Sequence, residues 1–200
     1  MASAGSRDDA FVTFLEGLRD AENRGALAAL RRGLGRPPGS ALCMAPYVEW
    51  LSPEPWERTR YYLVAALFGD HPDPRPERTT GHTPVKDRPN IGDVMAEVVR
   101  IYRRESRDGD EESARKRVEP RFVALLRTHP DDLPRHLRHA VSLAKSKDVP
   151  VDYRRLLRDL RYWTSEDRWV QLQWAANFWG GSAPPEPRDV LTEDEETQDE

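Results

Sequence analysis

The chain has 200 residues, 38% hydrophobic and 33% charged, which is enough for a packed core, and no apolar run near the ~18 residues a membrane span needs. One cysteine, Cys43, excludes an intramolecular disulfide, and the opening MASAGSRDDA lacks the apolar core of a secretion signal, so a cytoplasmic protein without membrane association is expected. The net charge of −4 is set by the C-terminus: residues 182–200 hold eight acids and one arginine, and the remainder is +3.

Asp8 or Asp9 is placed to cap a first helix with Phe11, Phe14, Leu15 and Leu18 on one side, which leaves 1–7 as a flexible N-terminus. Gly25 interrupts before a short second helix carrying Ala26, Leu27 and Leu30 and ending in Arg31, Arg32 and Gly33. A loop-rich connection follows, with Arg36 and one helical piece near Tyr47 to Leu51. From Trp56 to Phe68 the pattern is helical, with Trp56, Leu63, Ala66 and Leu67 apolar and Arg58 and Arg60 exposed or edge-lying. Residues 70–90 contain five prolines, too many for a helix or strand interior, and predict a long loop.

Helix resumes over Ile91 to Arg104 and breaks at ESRDGDEES. Val118, Phe122, Leu125 and Leu126 form the next stripe, with Pro120 expected in that helix's first turn. Asp131 or Asp132 then caps a helix in which Leu133, Leu137, Ala140, Val141 and Ala144 face inward, while Arg135, Arg138, Ser142 and Lys145 share the opposite side. Over Val151 to Trp163, Tyr153, Leu156, Leu157, Leu160 and Trp163 keep the helical period, and Arg154, Arg158 and Arg161 fall on another side. Trp169, Leu172, Ala176 and Trp179 line the last helix, with Trp174 and Phe178 adjacent and Gly180-Gly181 ending it. Residues 182–200, rich in proline and then in acid, are expected to be disordered.

No segment alternates with the strand period, so the expected fold is all-α: a compact bundle of eight or nine helices with basic faces. One helical domain spans 8–181, with an N-terminal part to about residue 105 and a basic C-terminal part over 112–181. Between Arg115 and Arg161 there are 13 lysines and arginines against 6 acids, an excess that by itself also fits a plain solvated face.

Common enzyme signatures are missing: there is no GxxxxGK[ST], no GxGxxG after a strand, no HExxH and no GxSxG. His136 and His139 are spaced i, i+3 but have no third ligand at helical spacing, so no metal or other cofactor is expected. Asp131-Asp132 fits a cap better than an acid/base pair. The six tryptophans sit among leucines at helical spacing, which favours core over base stacking.

Over residues 8–180 the chain resembles the CasB family, the small subunit of the type I-E CRISPR Cascade complex. The resemblance rests on features in order: Leu30-Arg31-Arg32; Trp56 opening a helix that ends Ala66-Leu67-Phe68; Thr79-Thr80-Gly81-His82 before Ile91-Gly92-Asp93-Val94; and Arg121-Phe122-Val123-Ala124-Leu125-Leu126-Arg127. They continue with Asp132-Leu133 leading to Leu137-Arg138-His139, Val151-Asp152-Tyr153 through Leu156-Leu157 to Trp163, and Trp174 to Trp179. The loop 70–90 and the acidic tail depart from the family pattern.

The resemblance implies a non-catalytic, all-α protein present in two copies in a crRNA-guided surveillance complex. It would bind nucleic acid without reading sequence, helping to hold the R-loop through contacts with target and displaced DNA strands. Its implied partners are the other Cascade subunits, the crRNA and a second copy of itself. Carried over by position, the contact residues are Arg31, Arg32, Arg58, Arg121, Arg127, Arg138 and Arg158. Helical periodicity alone adds Arg135, Lys145, Lys147 and Arg154. The alternatives are a helical adaptor for acidic protein surfaces, which the same stripes would serve, and a nuclease, for which no carboxylate or histidine cluster is visible.

Overall fold

A computed structural model describes residues 4–37, 40–72, 84–107 and 109–180. The expected acidic tail and most of the proline-rich loop, residues 73–83, lie outside them. Among the described residues there are nine α-helices and no strand: α1 (Ala4–Asp20), α2 (Arg24–Arg31), α3 (Ala45–Val48), α4 (Pro55–Asp70), α5 (Ile91–Glu105), α6 (Glu111–Arg127), α7 (Leu133–Ser146), α8 (Tyr153–Arg161) and α9 (Trp169–Trp179). The all-α expectation therefore holds.

Helix starts follow local chemistry. Asn23 accepts from the Ala26 amide (3.0 Å) to open α2. Asn90 and Asp93 form a reciprocal capping box on α5, and Asp110 accepts from the Glu112 and Ser113 amides to open α6. The bonds from Ser113 and Glu112 hold the Asp110 carboxyl below its ordinary range. Apolar faces then bring the helices together. α2 lies along α4, α5 between α6 and α9, α7 against α6, and α8 against α4 and α1. Phe11, Tyr61, Phe68, Phe122, Leu125, Leu137, Leu157 and Trp174 are among the side chains sealed in one continuous core.

Gly69 sets how closely α2 approaches α4. A Cβ there would meet Leu30 Cβ at 2.7 Å and the Arg31 amide nitrogen at 2.8 Å, so a glycine is required where α2 presents its terminal arginines.

Several local expectations are corrected. Helix α1 begins at Ala4, so Asp8 is not its cap. Asp8 is buried within α1, where it accepts from the Tyr61 hydroxyl (2.6 Å) and Arg161 Nη2 (2.8 Å). Burial first, and then the bond to Asp8, push the Tyr61 hydroxyl up to about 12. In α4 two positions depart from expectation: Trp56 is 70% exposed in the first turn, whereas Arg60 is buried and bonds to Glu57 (2.7 Å); Ala66 and Leu67 are buried and Arg58 lies at the edge as expected. Pro120 lies inside α6, because the buried stripe Ala114, Val118, Phe122, Leu125 extends the helix back to Glu111, nine residues before it. Asp132 stands before α7 but makes no side-chain cap bond; in the preceding turn His129 Nδ1 accepts from the Asp131 amide instead. In α9 the buried face is Val170, Gln171, Trp174 and Phe178, while Leu172 is 65% exposed. Of the tryptophans, Trp163 and Trp174 are core, Trp169 and Trp179 pack against it, and Trp50 and Trp56 are exposed.

Candidate nucleic-acid interface

The structure divides the expected contact residues into two groups. The first is spent inside the protein. Arg154 grips Glu16 on α1 with both guanidinium nitrogens (2.5 and 2.6 Å) and bonds to Thr13 (2.9 Å). The Glu16 bond, partly offset by burial, raises its pKa further. Arg161 reaches Asp8, and buried Arg155 shares its Nε–H between the two Asp159 oxygens (2.8 and 2.9 Å). Arg158 is half-buried: its guanidinium stacks 5.0 Å from the Trp169 ring centre and lies 3.5 Å from Asp159.

Helix α8 therefore does not present the free basic side its periodicity suggests. It is wedged among α1, α4 and the 85–87 turn, and acids of α1 together with its own Asp159 absorb its charge. Arg58 is likewise held by Glu49, through one hydrogen bond from Nη2 (3.2 Å) and an ion-pair contact from Nε (3.0 Å), Lys145 by Asp70 (2.8 Å), and Lys147 by Glu105. Replacing Arg154 by alanine is expected to cost about 1–3 kcal/mol, since Glu16 loses a charge-assisted partner in a part-buried setting. Nucleic-acid affinity should stay the same; thermal melts alongside a binding titration check both halves.

The second group stays open. Arg121 and Arg127 on α6, and Arg135 and Arg138 on α7, are exposed and have no acidic partner among the described residues. Arg31 and Arg32, at the end of α2, are exposed in the same way. Helices α6 and α7 pack on each other, which brings the arginines of both near His139. Burial first, then the positive charges of Arg135, His136, Arg138 and Arg121, hold the His139 imidazole below the usual histidine value. Four cationic or ionisable groups from two helices thus face one histidine.

Gly35 joins α2 to this cluster. With φ at +71° it makes the left-handed turn after α2, and a Cβ there would lie 2.7 Å from Arg138 Nη1. Arg138 thus lies against the α2 turn and shares a cleft with Arg36, an exposed arginine that helical periodicity did not single out because it follows the helix. His136 and His139, with ring centres 6.4 Å apart, lie on α7 beside these arginines. No group of three metal-binding side chains occurs among the described residues.

A face of exposed arginines without acidic partners among the described residues carries a positive potential, which favours anionic ligands over neutral ones. A depressed histidine pKa means that protonation costs the free fold stability as pH falls below about 6.5. A bound phosphate reverses the sign, because it favours the charged imidazole. Affinity should therefore rise severalfold from about pH 7.5 to pH 5.5, and His139→Gln should flatten most of that rise. Binding titrations at matched ionic strength across that range test it.

Among the described residues no helix is long and apolar enough to cross a membrane. Comparison with known proteins places the chain. A curated CRISPR-associated protein Cse2 of Thermus thermophilus is 33% identical over 171 residues, spanning 82% of this chain and 83% of that one. A crystal structure of a Cse2-family protein from the same organism superposes with a TM-score of 0.65 at 31% identity, covering 86% of this chain and 97% of that one. The crystal structure of M. ruber CasB superposes at 0.63 with 29% identity, covering 88% and 94% respectively. A chain of a CRISPR RNA-guided surveillance complex superposes at 0.64 with 28% identity, covering 87% and 92%. A model of the CRISPR-associated protein Cse2 family matches residues 26–179, and with these relatives it establishes that the chain belongs to the Cse2, or CasB, family.

Proposed function

We propose that this protein is a non-catalytic small subunit of a crRNA-guided surveillance complex of the Cascade type, and that it holds the R-loop open by gripping DNA backbone. The observation that carries the proposal is the uncompensated cationic face of α6, α7 and the end of α2, built from Arg31, Arg32, Arg121, Arg127, Arg135 and Arg138. Membership of the family, together with the similar chain in an RNA-guided surveillance complex, supports the setting.

Arginine suits the task. Its planar fork makes two bonds to one phosphate, and neutralising phosphates releases condensed counterions. R-loop formation exchanges one duplex for another of similar stability, an argument framed for Cas9-type effectors and extended here by analogy. A few phosphate contacts with the target and displaced strands are then enough to tip the balance, and a strand held away cannot re-pair. Two copies along the complex lengthen the bound stretch.

Filter-binding titrations of single-stranded DNA across a salt series test the proposal. The expected result is affinity that falls steeply and linearly on logarithmic axes and is alike for unrelated sequences. Salt-independent binding, or binding to one sequence alone, contradicts it. Magnesium-dependent cleavage of the DNA in the same samples contradicts the non-catalytic part.

A further inference from the structure

The C-terminal segment and the cationic face have opposite charge, and the helix that precedes the segment ends close to that face. Of the eight acids in residues 182–200, six lie in the last eight residues, Glu193, Asp194, Glu195, Glu196, Asp199 and Glu200. Helix α9 ends beside α6. The Trp179 indole N–H donates to Glu119 Oε1 (3.3 Å), and its ring centre lies 5.6 Å from Phe122, the chain neighbour of Arg121. From Gly180 to Glu193 the chain has a contour of up to ~45 Å, and packed helices such as α6 and α7 lie only about 8–10 Å apart. The acidic block therefore has the length to reach Arg121, Arg135 and Arg138 from where α9 stops.

We propose that residues 193–200 dock on the arginine face of α6 and α7 and compete there with nucleic-acid phosphates. The inference rests on the reading of that face as a phosphate-binding surface. Carboxylates offer guanidinium groups the same two-oxygen geometry that phosphates do. Each exposed pair is weak and screened by salt, but the tether supplies an effective concentration in the millimolar range. Such a competitor excludes short or weakly held strands. A long strand, presenting many phosphates at once, displaces it.

The test uses the full chain in two arms. In the first, a spin label is attached at Thr197→Cys in a Cys43→Ser background, and paramagnetic broadening of backbone amides is measured at low and high salt. Broadening centred on Arg121, Arg135 and Arg138 that disappears at high salt is expected; no selective broadening there overturns the docking. In the second arm, single-stranded DNA is titrated against the wild type and a variant whose six acids in 193–200 are changed to Gln or Asn. That variant should bind about 3–10-fold tighter at low salt and equally at high salt. Tighter binding without the broadening overturns the inference, because the loss of overall negative charge is then sufficient. Broadening without DNA binding by either protein supports the docking and removes the phosphate reading, so the two failures are distinguishable.

Discussion

Replacing Asp159 by alanine is expected to destabilise the fold by about 3–5 kcal/mol, the usual cost of leaving a buried charge without its partner. Asp159 has no exposed surface and accepts from Arg155 Nε at both oxygens and from the Trp174 indole N–H (2.7 Å). Burial pushes its carboxyl up from the ordinary range, against the pull of the Trp174 bond and the Arg155 charge. Arg155 goes on to bind the Lys86 and Arg88 carbonyls and Gln173 Oε1 (2.6 Å), so one ion pair ties α8, α9 and the end of the 70–90 segment together. For a domain of this size the thermal midpoint should fall by roughly 10 °C or more. Asp159→Asn, which keeps one acceptor for Trp174, should lose less. A midpoint within about 2 °C of wild type for the alanine variant would remove this pair from the account of stability.

The largest functional effect is expected from changing Arg121, Arg135 and Arg138 to alanine together. All three are exposed and have no acidic partner among the described residues, so stability should change little beyond the lost cover of their stems. Each contact removed should take about 0.7 from the slope of log affinity against log salt for a single strand, about 2 for the triple variant. Affinity near physiological salt should fall by roughly ten- to a hundredfold, alike for unrelated sequences. The comparison variant is Arg58→Ala plus Arg154→Ala, which removes the same kind of charge from pairs with Glu49 and Glu16. It should lose stability and keep its slope. Equal slopes for wild type and the triple variant would move the nucleic acid to another surface.

The contrast between these two sets shows which parts of the molecule the sequence revealed. In α7 both faces are legible: Leu133, Leu137, Ala140, Val141 and Ala144 are buried, and Arg135, Arg138, Ser142 and Lys145 are exposed. One face of α7 meets its neighbours and the other meets solvent, so the helical period carries the whole message. Helix α8 has an equally clear period and misleads. The acids that neutralise it, Glu16 and Asp8, lie 138 and 153 residues from their arginines, a separation no local pattern reports. Helix α9 has large apolar residues all round, leaving no polar face to orient it, and the stripe through Leu172 is not the one that packs. Trp56 and Arg60 exchange their expected places because Asp8 and Glu57 supply buried partners for a guanidinium. The residues carried over from the family pattern divide in the same way. Arg31, Arg32, Arg121, Arg127 and Arg138 are open, whereas Arg58 and Arg158 are engaged.

Photo-crosslinking in an assembled surveillance complex with its R-loop formed tests the central claim most directly. A benzophenone amino acid placed at Ser142, exposed on α7 in line with Arg135 and Arg138, reports what lies on the open face. The same group at Thr13, which is exposed on α1 and accepts from Arg154 Nη2, reports what lies on the side whose charge is already neutralised. DNA crosslinked at Ser142 and absent at Thr13 is the predicted result; DNA at Thr13 with only protein at Ser142 would contradict it.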